Sequence, residues 1–139
     1  YVNNIKKYRN LILKDGGLTT ADAYECTHWV WALYIICKDN NILHHYSNLM
    51  SETLINLYLT LPPCDVKTEC LTFLSMIDVS RIKKEWIKEL EDNQLKDGTF
   101  KSYTSQKDIP KYDRELYTIH HICLALIALY NYYNVIRIN

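Results

Sequence analysis

Residues 13–18 read Leu-Lys-Asp-Gly-Gly-Leu, and residues 95–100 read Leu-Lys-Asp-Gly-Thr-Phe. Each copy of this phrase follows a predicted amphipathic helix and precedes, after a polar loop, a long and very apolar helix. The two apolar helices also match each other at polar positions, which are Tyr24, His28, Tyr117 and His121. A unit of helix, Asp-Gly turn and helix that occurs twice predicts an array or ring of helical hairpins.

Apolar residues at helical spacing predict six helices and almost no strand. Their expected bounds are about 2–13, 20–39, 44–61, 66–77, 80–95 and 112–134. The predicted fold class is all-α, with three antiparallel hairpins in a single domain over residues 1–139 and repeat units around 1–39 and 80–134. The second helix is apolar almost all round over Trp29–Cys37, so we expect it to be buried centrally, and the sixth is again very apolar over Ile119–Leu129. Asp65 is the predicted N-cap of the fourth helix.

The composition of the chain limits its partners and its compartment. Among its 139 residues, 16 are acidic and 16 are basic, and no basic stripe stands out, so we expect no nucleic-acid partner. The longest apolar runs, Trp29–Cys37 and Ile122–Tyr130, are too short to cross a bilayer, so we expect no membrane span. Five cysteines without a Cys-x-x-Cys pair indicate buried free thiols in a reducing, cytoplasmic compartment.

The segment 62–100 resembles a repeat of the terpenoid-cyclase and protein-prenyltransferase α/α-toroid superfamily. That repeat pairs a Thr-bearing apolar helix with a second helix that ends in Gln-x-x-Asp-Gly and an aromatic residue. The matching positions here are Thr68, Gln94, Asp97, Gly98 and Phe100. The first copy of the phrase keeps Asp15 and Gly16 but lacks the Gln and the aromatic residue.

The resemblance implies that these turn residues fasten a ring of hairpins rather than catalyse a reaction. A Gln side chain satisfies backbone groups at a neighbouring helix end, while Asp-Gly makes the tight turn. We therefore interpret one set of residues as a structural turn motif, namely Gln94, Asp97, Gly98, Phe100, Asp15 and Gly16. A full toroid has more helices than this chain, so three hairpins would form an arc or half of an α/α toroid, which a second copy would close.

No catalytic residue follows from the resemblance. Terpene cyclases of that superfamily protonate their substrate with Asp-x-Asp-Asp, and protein prenyltransferases hold zinc with Asp-x-Cys and a later His. This sequence contains neither the Asp-x-Asp-Asp motif nor Asp-x-Cys, so we expect no cofactor and no metal. The sequence does not decide whether the chain is an enzyme, which would then be cyclase-like or prenyltransferase-like. The remaining zinc candidates are His121 and the nearby Cys123. His121 has leucines at the fifth and eighth positions after it, which is similar to the pattern that follows the zinc His of the prenyltransferases.

The paired Tyr and His residues are the candidate ligand site. Tyr24 with His28, and Tyr117 with His121, are four residues apart, so each pair lies on one face of an apolar helix. These residues either hydrogen-bond across the hairpin core or, together with Trp31, line a cavity that orients a hydrophobic ligand.

Our leading functional hypothesis is that a hydrophobic ligand binds in a concave apolar centre; the resemblance implies an isoprenoid. The alternative is a non-catalytic helical-repeat module that binds a protein partner, or a half-ring that self-associates as a homodimer. A ligand binder should contain a closed cavity lined by the paired Tyr and His residues. An interaction module should fill that space with side chains and expose an apolar patch instead.

Overall fold

A computed structural model of the chain describes residues 1–14, 18–101 and 114–138, without the side chains of residues 114–117, 137 and 138. Within these residues the fold is all-α, as predicted, and it has six α-helices. They are α1 (Val2–Ile12), α2 (Thr20–Asp39), α3 (Leu43–Thr60), α4 (Asp65–Asp78), α5 (Lys84–Asp92) and α6 (Arg114–Ile138), with a short 3-10 helix at Val79–Arg81. Asp15 and Gly16 of the first turn lie outside the described residues.

Local sequence fixes several helix ends. α2 begins behind a capping box, in which the Thr19 hydroxyl accepts from the Asp22 amide at 3.1 Å and Asp22 accepts from the Thr19 amide at 3.0 Å. α3 ends before the two prolines at 62–63, since proline cannot continue a helix. The predicted N-cap role of Asp65 is wrong, because Asp65 is the first residue of α4 and Cys64 is the N-cap.

The fifth helix is shorter than the predicted span 80–95. After α4 the chain forms a single 3-10 turn, in which the Ser80 hydroxyl donates to Asp78 at 2.6 Å. Ile82 then has extended backbone angles, and its buried side chain joins the core. This break redirects the chain, so that α5 begins only at Lys84.

The helix contacts form two rows. In one row α2 packs on α4 and α4 packs on α6, while in the other row α1 packs on α3. Contacts of α1 with α2, of α2 with α3 and of α3 with α4 link the rows. The hairpins α1–α2 and α3–α4 contact each other along both rows, as neighbours do in an array of helical hairpins, and α6 continues the first row.

α4 is the centre of the core, since nine of its 14 residues are buried. The expectation that α2 is buried centrally is therefore wrong. α2 and α6 are apolar all round, but they are the two ends of their row, and only the middle helix has a row neighbour on each side. Both end helices keep exposed apolar side chains, such as Ile35 on α2 and Leu126 on α6.

α4 and α6 approach each other closely because small residues lie between them. Ala125 and Ala128 of α6 are completely buried. Across the same contact, the Thr72 hydroxyl of α4 lies 2.8 Å from the Leu124 carbonyl oxygen of α6 and 2.8 Å from the Thr68 carbonyl oxygen of its own helix, and it shares its one hydrogen between them. A short side chain reaches the backbone of another helix only where the two backbones are near, so this bond fixes α6 against α4.

α5 is attached to α3 and α4 by its aromatic and acidic side chains. The ring of Tyr58 on α3 lies 4.7 Å from that of Trp86 on α5, measured between centroids. The Tyr58 hydroxyl donates to Glu89 at 2.7 Å, and Lys67 of α4 pairs with the same carboxylate at 3.5 Å. α5 therefore closes the side of the core that α3 and α4 form.

Candidate functional site

A buried polar cluster lies where α2, α4 and α6 meet. Asp65 and Glu69 are four residues apart on α4 and share a face, and they are only 4% and 3% exposed. Fully buried carboxyl groups are rare, because removing an unpaired charge from water is costly. Sequence reasoning misses both residues as site candidates, although two acids at this spacing in an apolar helix are a signal that could have found them.

Glu69 is joined to α2 by a short hydrogen bond. The Thr27 hydroxyl oxygen lies 2.6 Å from Glu69 Oε2 and 2.9 Å from the Tyr24 carbonyl oxygen. Burial raises the pKa of Glu69, while the Thr27 hydrogen bond and the charges of His28 and His120 act to lower it. Burial is the largest of these effects, so the Glu69 carboxyl keeps its proton to a higher pH than it would in water.

His121 is the buried histidine of this cluster and lies on the α4 side of α6. Burial lowers the pKa of His121, and the charge of Asp65 opposes that shift. His28 is exposed on α2 but lies within electrostatic reach of Glu69. The structure therefore places His121 in the cluster and leaves His28 exposed on α2, within electrostatic reach of Glu69.

The other predicted cavity residues lie in different surroundings. Tyr24 is half-buried on α2, and the side chain of Tyr117 lies outside the described residues. Trp31 is half-buried and stacks on both Tyr34 and Phe73, with ring centroids 5.4 and 5.0 Å away. Side chains from α2 and α4 therefore fill the space beside Trp31, where the sequence predicts part of a cavity wall.

The described residues contain no group of three His, Cys, Asp or Glu side chains placed to hold a metal ion. The two zinc candidates point to different faces of α6, since His121 is buried and Cys123 is exposed.

All five cysteines are free thiols, and Cys26, Cys37 and Cys70 are buried. Burial raises the pKa of Cys26 to about 12. Because the thiolate is the reactive form, this thiol is poorly suited to act as a nucleophile.

The second copy of the repeated phrase forms a tight loop after α5. The Gly98 amide donates to the Leu95 carbonyl oxygen at 2.9 Å, and Gly98 has φ of +87°. The Asp97 carboxylate accepts from the Thr99 amide at 3.0 Å and from the Thr99 hydroxyl at 2.6 Å. A three-residue loop that ends in a left-handed glycine has this geometry, which explains the choice of Asp and Gly.

Gln94 and Phe100 hold this loop together and attach it to the core. The Gln94 side-chain amide donates to the Gly98 carbonyl oxygen at 3.2 Å. The prediction that Gln94 satisfies a neighbouring helix end is therefore wrong, because its bond lies within the loop itself. Phe100 is half-buried beside Leu71 and Leu90, next to a pocket of about 20 Å³. That space holds roughly one water molecule. The contacts of the turn motif are therefore those of a structural loop rather than of a ligand site.

The outer face of α6 is apolar and exposed, and sequence reasoning misses it because an all-round apolar pattern predicts burial. Its residues recur at alternating steps of four and three, which places them in one line along the helix. We define the α6 stripe as Ile119, Cys123, Leu126, Tyr130 and Tyr133. Leu126 is 52% and Tyr130 is 70% exposed, and Ile127 and Ile136 extend the apolar surface on either side.

One helix of the described chain, Thr118–Ile136, is long and apolar enough to cross a membrane by length and composition. The sequence contains no charged residue in this stretch, and only 28% of it is buried. The core helix of a globular protein passes the same test. Length and composition therefore do not distinguish a membrane span from a helix that packs on α4 and leaves its outer face free.

No family model, no curated protein and no solved structure matches this chain. The resemblance to the α/α-toroid superfamily rests on the residues of segment 62–100 and on the repeated helical order. The function of the chain must therefore be argued from the geometry of the polar cluster, the turn and the α6 stripe.

Proposed function

We propose that this chain is a helical interaction module that binds a protein partner along the outer face of α6. The observation that carries the proposal is the α6 stripe, which exposes large apolar side chains at the end of a helix row. No charged residue interrupts it between Thr118 and Ile136. Contiguous apolar surface of this kind marks a site of interaction.

The size of this surface suits a protein interface. A large apolar residue has about 200 Å² of surface, so the exposed fractions along α6 correspond to on the order of 600 Å². The largest patch of an ordinary monomer covers roughly 300–600 Å², and one side of a standard interface buries about 800 Å². With 25 residues, α6 is about 37 Å long, which allows several turns to contact a partner.

The polar cluster supports a structural role rather than a catalytic one. Thr27 and Glu69 bond to each other across α2 and α4, and Asp65 and His121 also have interaction partners. A buried network with satisfied members specifies which helices meet and at what register. We therefore assign the cluster to the alignment of α2, α4 and α6.

A groove between α5 and α6 favours a second candidate, the binding of an anionic amphiphile. Its volume of about 580 Å³ lies in the range of small-molecule sites. Its lining consists of apolar and aromatic residues with two lysines and one acid, namely Ile87, Tyr132, Tyr133, Ile136, Lys84, Lys88 and Glu91. An isoprenoid with an acidic head group would rest its tail on the apolar residues and its head near the lysines. Lys88 already pairs with Asp92 at 2.8 Å, which offsets its charge and makes this candidate the weaker one.

A peptide-selection experiment tests the first proposal. A displayed library of amphipathic helical peptides is selected on sparsely immobilised protein, and the enriched peptides are then measured on three variants. We expect Leu126→Lys and Tyr130→Lys to lose binding. Leu59→Lys is the matched control, because Leu59 of α3 is 60% exposed and lies outside the stripe, and it should retain binding. A selection that yields no peptide, or only peptides indifferent to the α6 variants, contradicts the proposal.

Titration with farnesyl diphosphate, followed by tryptophan fluorescence, tests the amphiphile candidate. Saturable binding that Lys84→Glu weakens and Leu126→Lys leaves intact would favour the groove between α5 and α6. Absence of saturable binding would remove this candidate.

A further inference from the structure

We infer that the partner on the α6 stripe is the α6 stripe of a second copy of this chain, packed antiparallel about a two-fold axis. The inference rests on the proposed function, because it names the occupant of the face proposed there. Three observations support it, which are the position of α6 in its row, the charge on the competing faces and the order of residue sizes along the stripe.

α6 is an open end of the row α2–α4–α6. In arrays of helical repeats each helix is covered by the next, and a terminal helix needs a polar outer face to remain in solution. α6 has the opposite character, since its residues 118–136 include no Asp, Glu, Lys or Arg. An uncharged, apolar outer face is expected on a helix that another helix covers, and α6 has such a face at the end of its row.

Two faces of a second copy can supply that helix, namely α2 at the other end of the row and α6 itself. The exposed positions of α2 include Glu25, His28 and Lys38, so packing α6 on α2 would bury ionisable groups against an uncharged stripe. The stripe itself carries no Asp, Glu, Lys, Arg or His, and the Glu91 carboxylate beside it already accepts from the Tyr133 hydroxyl at 2.5 Å. In an antiparallel pair the two helix dipoles also point in opposite directions, which is electrostatically favourable.

The order of residue sizes along the stripe favours the antiparallel direction. With the two stripes fully overlapped, the axis lies at Leu126, and the Cys123 end of each copy lies beside the Tyr130 end of the other. The smallest stripe residue thus packs near the largest. A parallel pair would place two Tyr130 rings together and two Cys123 thiols together, which gives an uneven spacing between the helices.

A two-fold pairing also closes the assembly. An isologous interface uses the same surface on both copies and leaves no stripe free. Packing of α6 on α2 is heterologous and closes only where the rotation between copies forms a ring; otherwise it continues as a filament. Together with the flanking Ile127 and Ile136, the stripes of the two copies offer on the order of 1,200 Å² in total, which reaches the lower bound of stable specific interfaces.

Sedimentation equilibrium of the full chain tests the occupant. We expect a monomer–dimer equilibrium in which Leu126→Lys and Tyr130→Lys each raise the dissociation constant at least tenfold. Leu59→Lys should leave it within about twofold, and circular dichroism checks that each variant folds. A measurement on the unaltered chain adds a second readout, because alkylation of the exposed Cys123 should slow as the protein concentration rises and the dimer covers it.

Disulfide trapping tests the direction. In a Cys123→Ser parent, Leu126→Cys lies at the axis and should cross-link to itself in either direction, which makes it the positive control. Ile119→Cys and Tyr133→Cys should each fail to cross-link alone and should cross-link when the two variants are mixed, because antiparallel helices bring opposite ends within disulfide reach. Self-cross-linking of Ile119→Cys or Tyr133→Cys alone would overturn the antiparallel arrangement.

The outcomes separate this inference from the proposed function. A chain that stays monomeric yet binds peptides in an α6-dependent way overturns the second copy as partner and leaves the interaction module standing. A dimer whose dissociation constant the two α6 variants leave unchanged also overturns the inference. A monomer that binds phosphatidylcholine–phosphatidylglycerol vesicles through Leu126 and Tyr130, and binds no peptide, overturns both and makes α6 a membrane-binding helix.

Discussion

The Thr27 hydroxyl has one hydrogen and two acceptor neighbours, Glu69 Oε2 at 2.6 Å and the Tyr24 carbonyl oxygen at 2.9 Å. It can donate fully to only one of them. When Glu69 carries a proton, its carboxyl donates to Thr27 while Thr27 donates to Tyr24, so that both contacts are hydrogen bonds. Burial raises the pKa of Glu69 and so favours this neutral form, whereas donation by the Thr27 hydroxyl to an ionised carboxylate acts to lower that pKa.

We predict that Glu69→Gln has the same or a higher unfolding free energy at pH 7.5 and depends less on pH. The pKa of Glu69 in the folded state is raised above its ordinary value of 4.5. Its contribution to stability is therefore complete below pH 4.5 and is lost as the pH rises through the folded-state pKa. Gln is neutral, and its amide donates to Thr27 at every pH. Urea unfolding of both proteins at pH 5 and pH 7.5 measures the difference. Both proteins contain the same histidines, so histidine titration contributes to both pH dependences.

Thr27→Val is the matched change on the other side of this bond. It leaves the buried Glu69 carboxyl without the Thr27 hydroxyl, and it should lower the unfolding free energy by about 1–3 kcal/mol. A Glu69→Gln protein that is less stable than the wild type at pH 7.5 but not at pH 5 would show that the ionised carboxylate is the stabilising form.

The members of the cluster differ in how readily a single sequence reveals them. His28 and His121 can be selected from the sequence, because polar residues stand out on apolar helices. Their acidic neighbours give only the weaker signal of a four-residue spacing, since Asp65 reads as an N-cap and Glu69 lies in a short helix whose central position is a tertiary property. Thr27 and Glu69 are 42 residues apart in the chain, and helical periodicity does not encode which helices meet.

At Gly98 the backbone, rather than the available space, decides which residue fits. A Cβ atom at this position would meet nothing within 4 Å, but φ is +87°. We predict that Gly98→Ala lowers the unfolding free energy by about 1 kcal/mol through backbone conformation alone, and that Gly98→Asn costs less. Urea unfolding of the three proteins measures the order. An Ala variant as stable as the wild type would contradict the prediction.

Among the elements, α4 determines the arrangement of the others, because α2, α3 and α6 all pack on it. The number and type of the helices could be predicted, since apolar spacing reports which residues avoid water. The central helix could not, because spacing does not report how many neighbours a helix has. The break at Ser80 and Ile82 is also a tertiary effect, in which a buried side chain interrupts a segment that periodicity reads as one helix.

The distance between α4 and α6 depends on the small residues of α6. We predict that Ala128→Leu lowers the unfolding free energy by about 1–3 kcal/mol, because Ala128 is completely buried and a larger side chain forces the helices apart. The spreading would also lengthen the bond from Thr72 to the Leu124 carbonyl oxygen. Urea unfolding measures the change.

Ala21→Leu is the control for that substitution. Ala21 is exposed near the start of α2, so the same added volume should change the unfolding free energy by less than about 0.5 kcal/mol. Equal effects at Ala21 and Ala128 would mean that the spacing of α4 and α6 does not depend on small residues.

In the whole molecule, the row of helices has two unlike ends. Exposed charged residues such as Glu25 and Lys38 cover part of α2, whereas the outer face of α6 is apolar. On α6 the polar cluster and the stripe lie on opposite sides, with His121 toward α4 and Leu126 toward solvent. A change on the stripe therefore leaves the core of a single chain intact, which makes association and folding separable by experiment.

This separation predicts how thermal stability depends on protein concentration. If folded chains pair through α6, the unfolding midpoint of the wild type should rise by on the order of 5 °C over a hundredfold concentration range above the dimer dissociation constant. The midpoint of Leu126→Lys should be independent of concentration and should equal that of the wild type at high dilution, because Leu126 is exposed in the monomer. Leu59→Lys should follow the wild type throughout. Scanning calorimetry with fluorescence detection for the dilute samples measures all three. If the wild-type midpoint does not move with concentration, the folded chain does not pair. If the midpoint of Leu126→Lys is lower than that of the wild type at high dilution, Leu126 belongs to the core of the single chain.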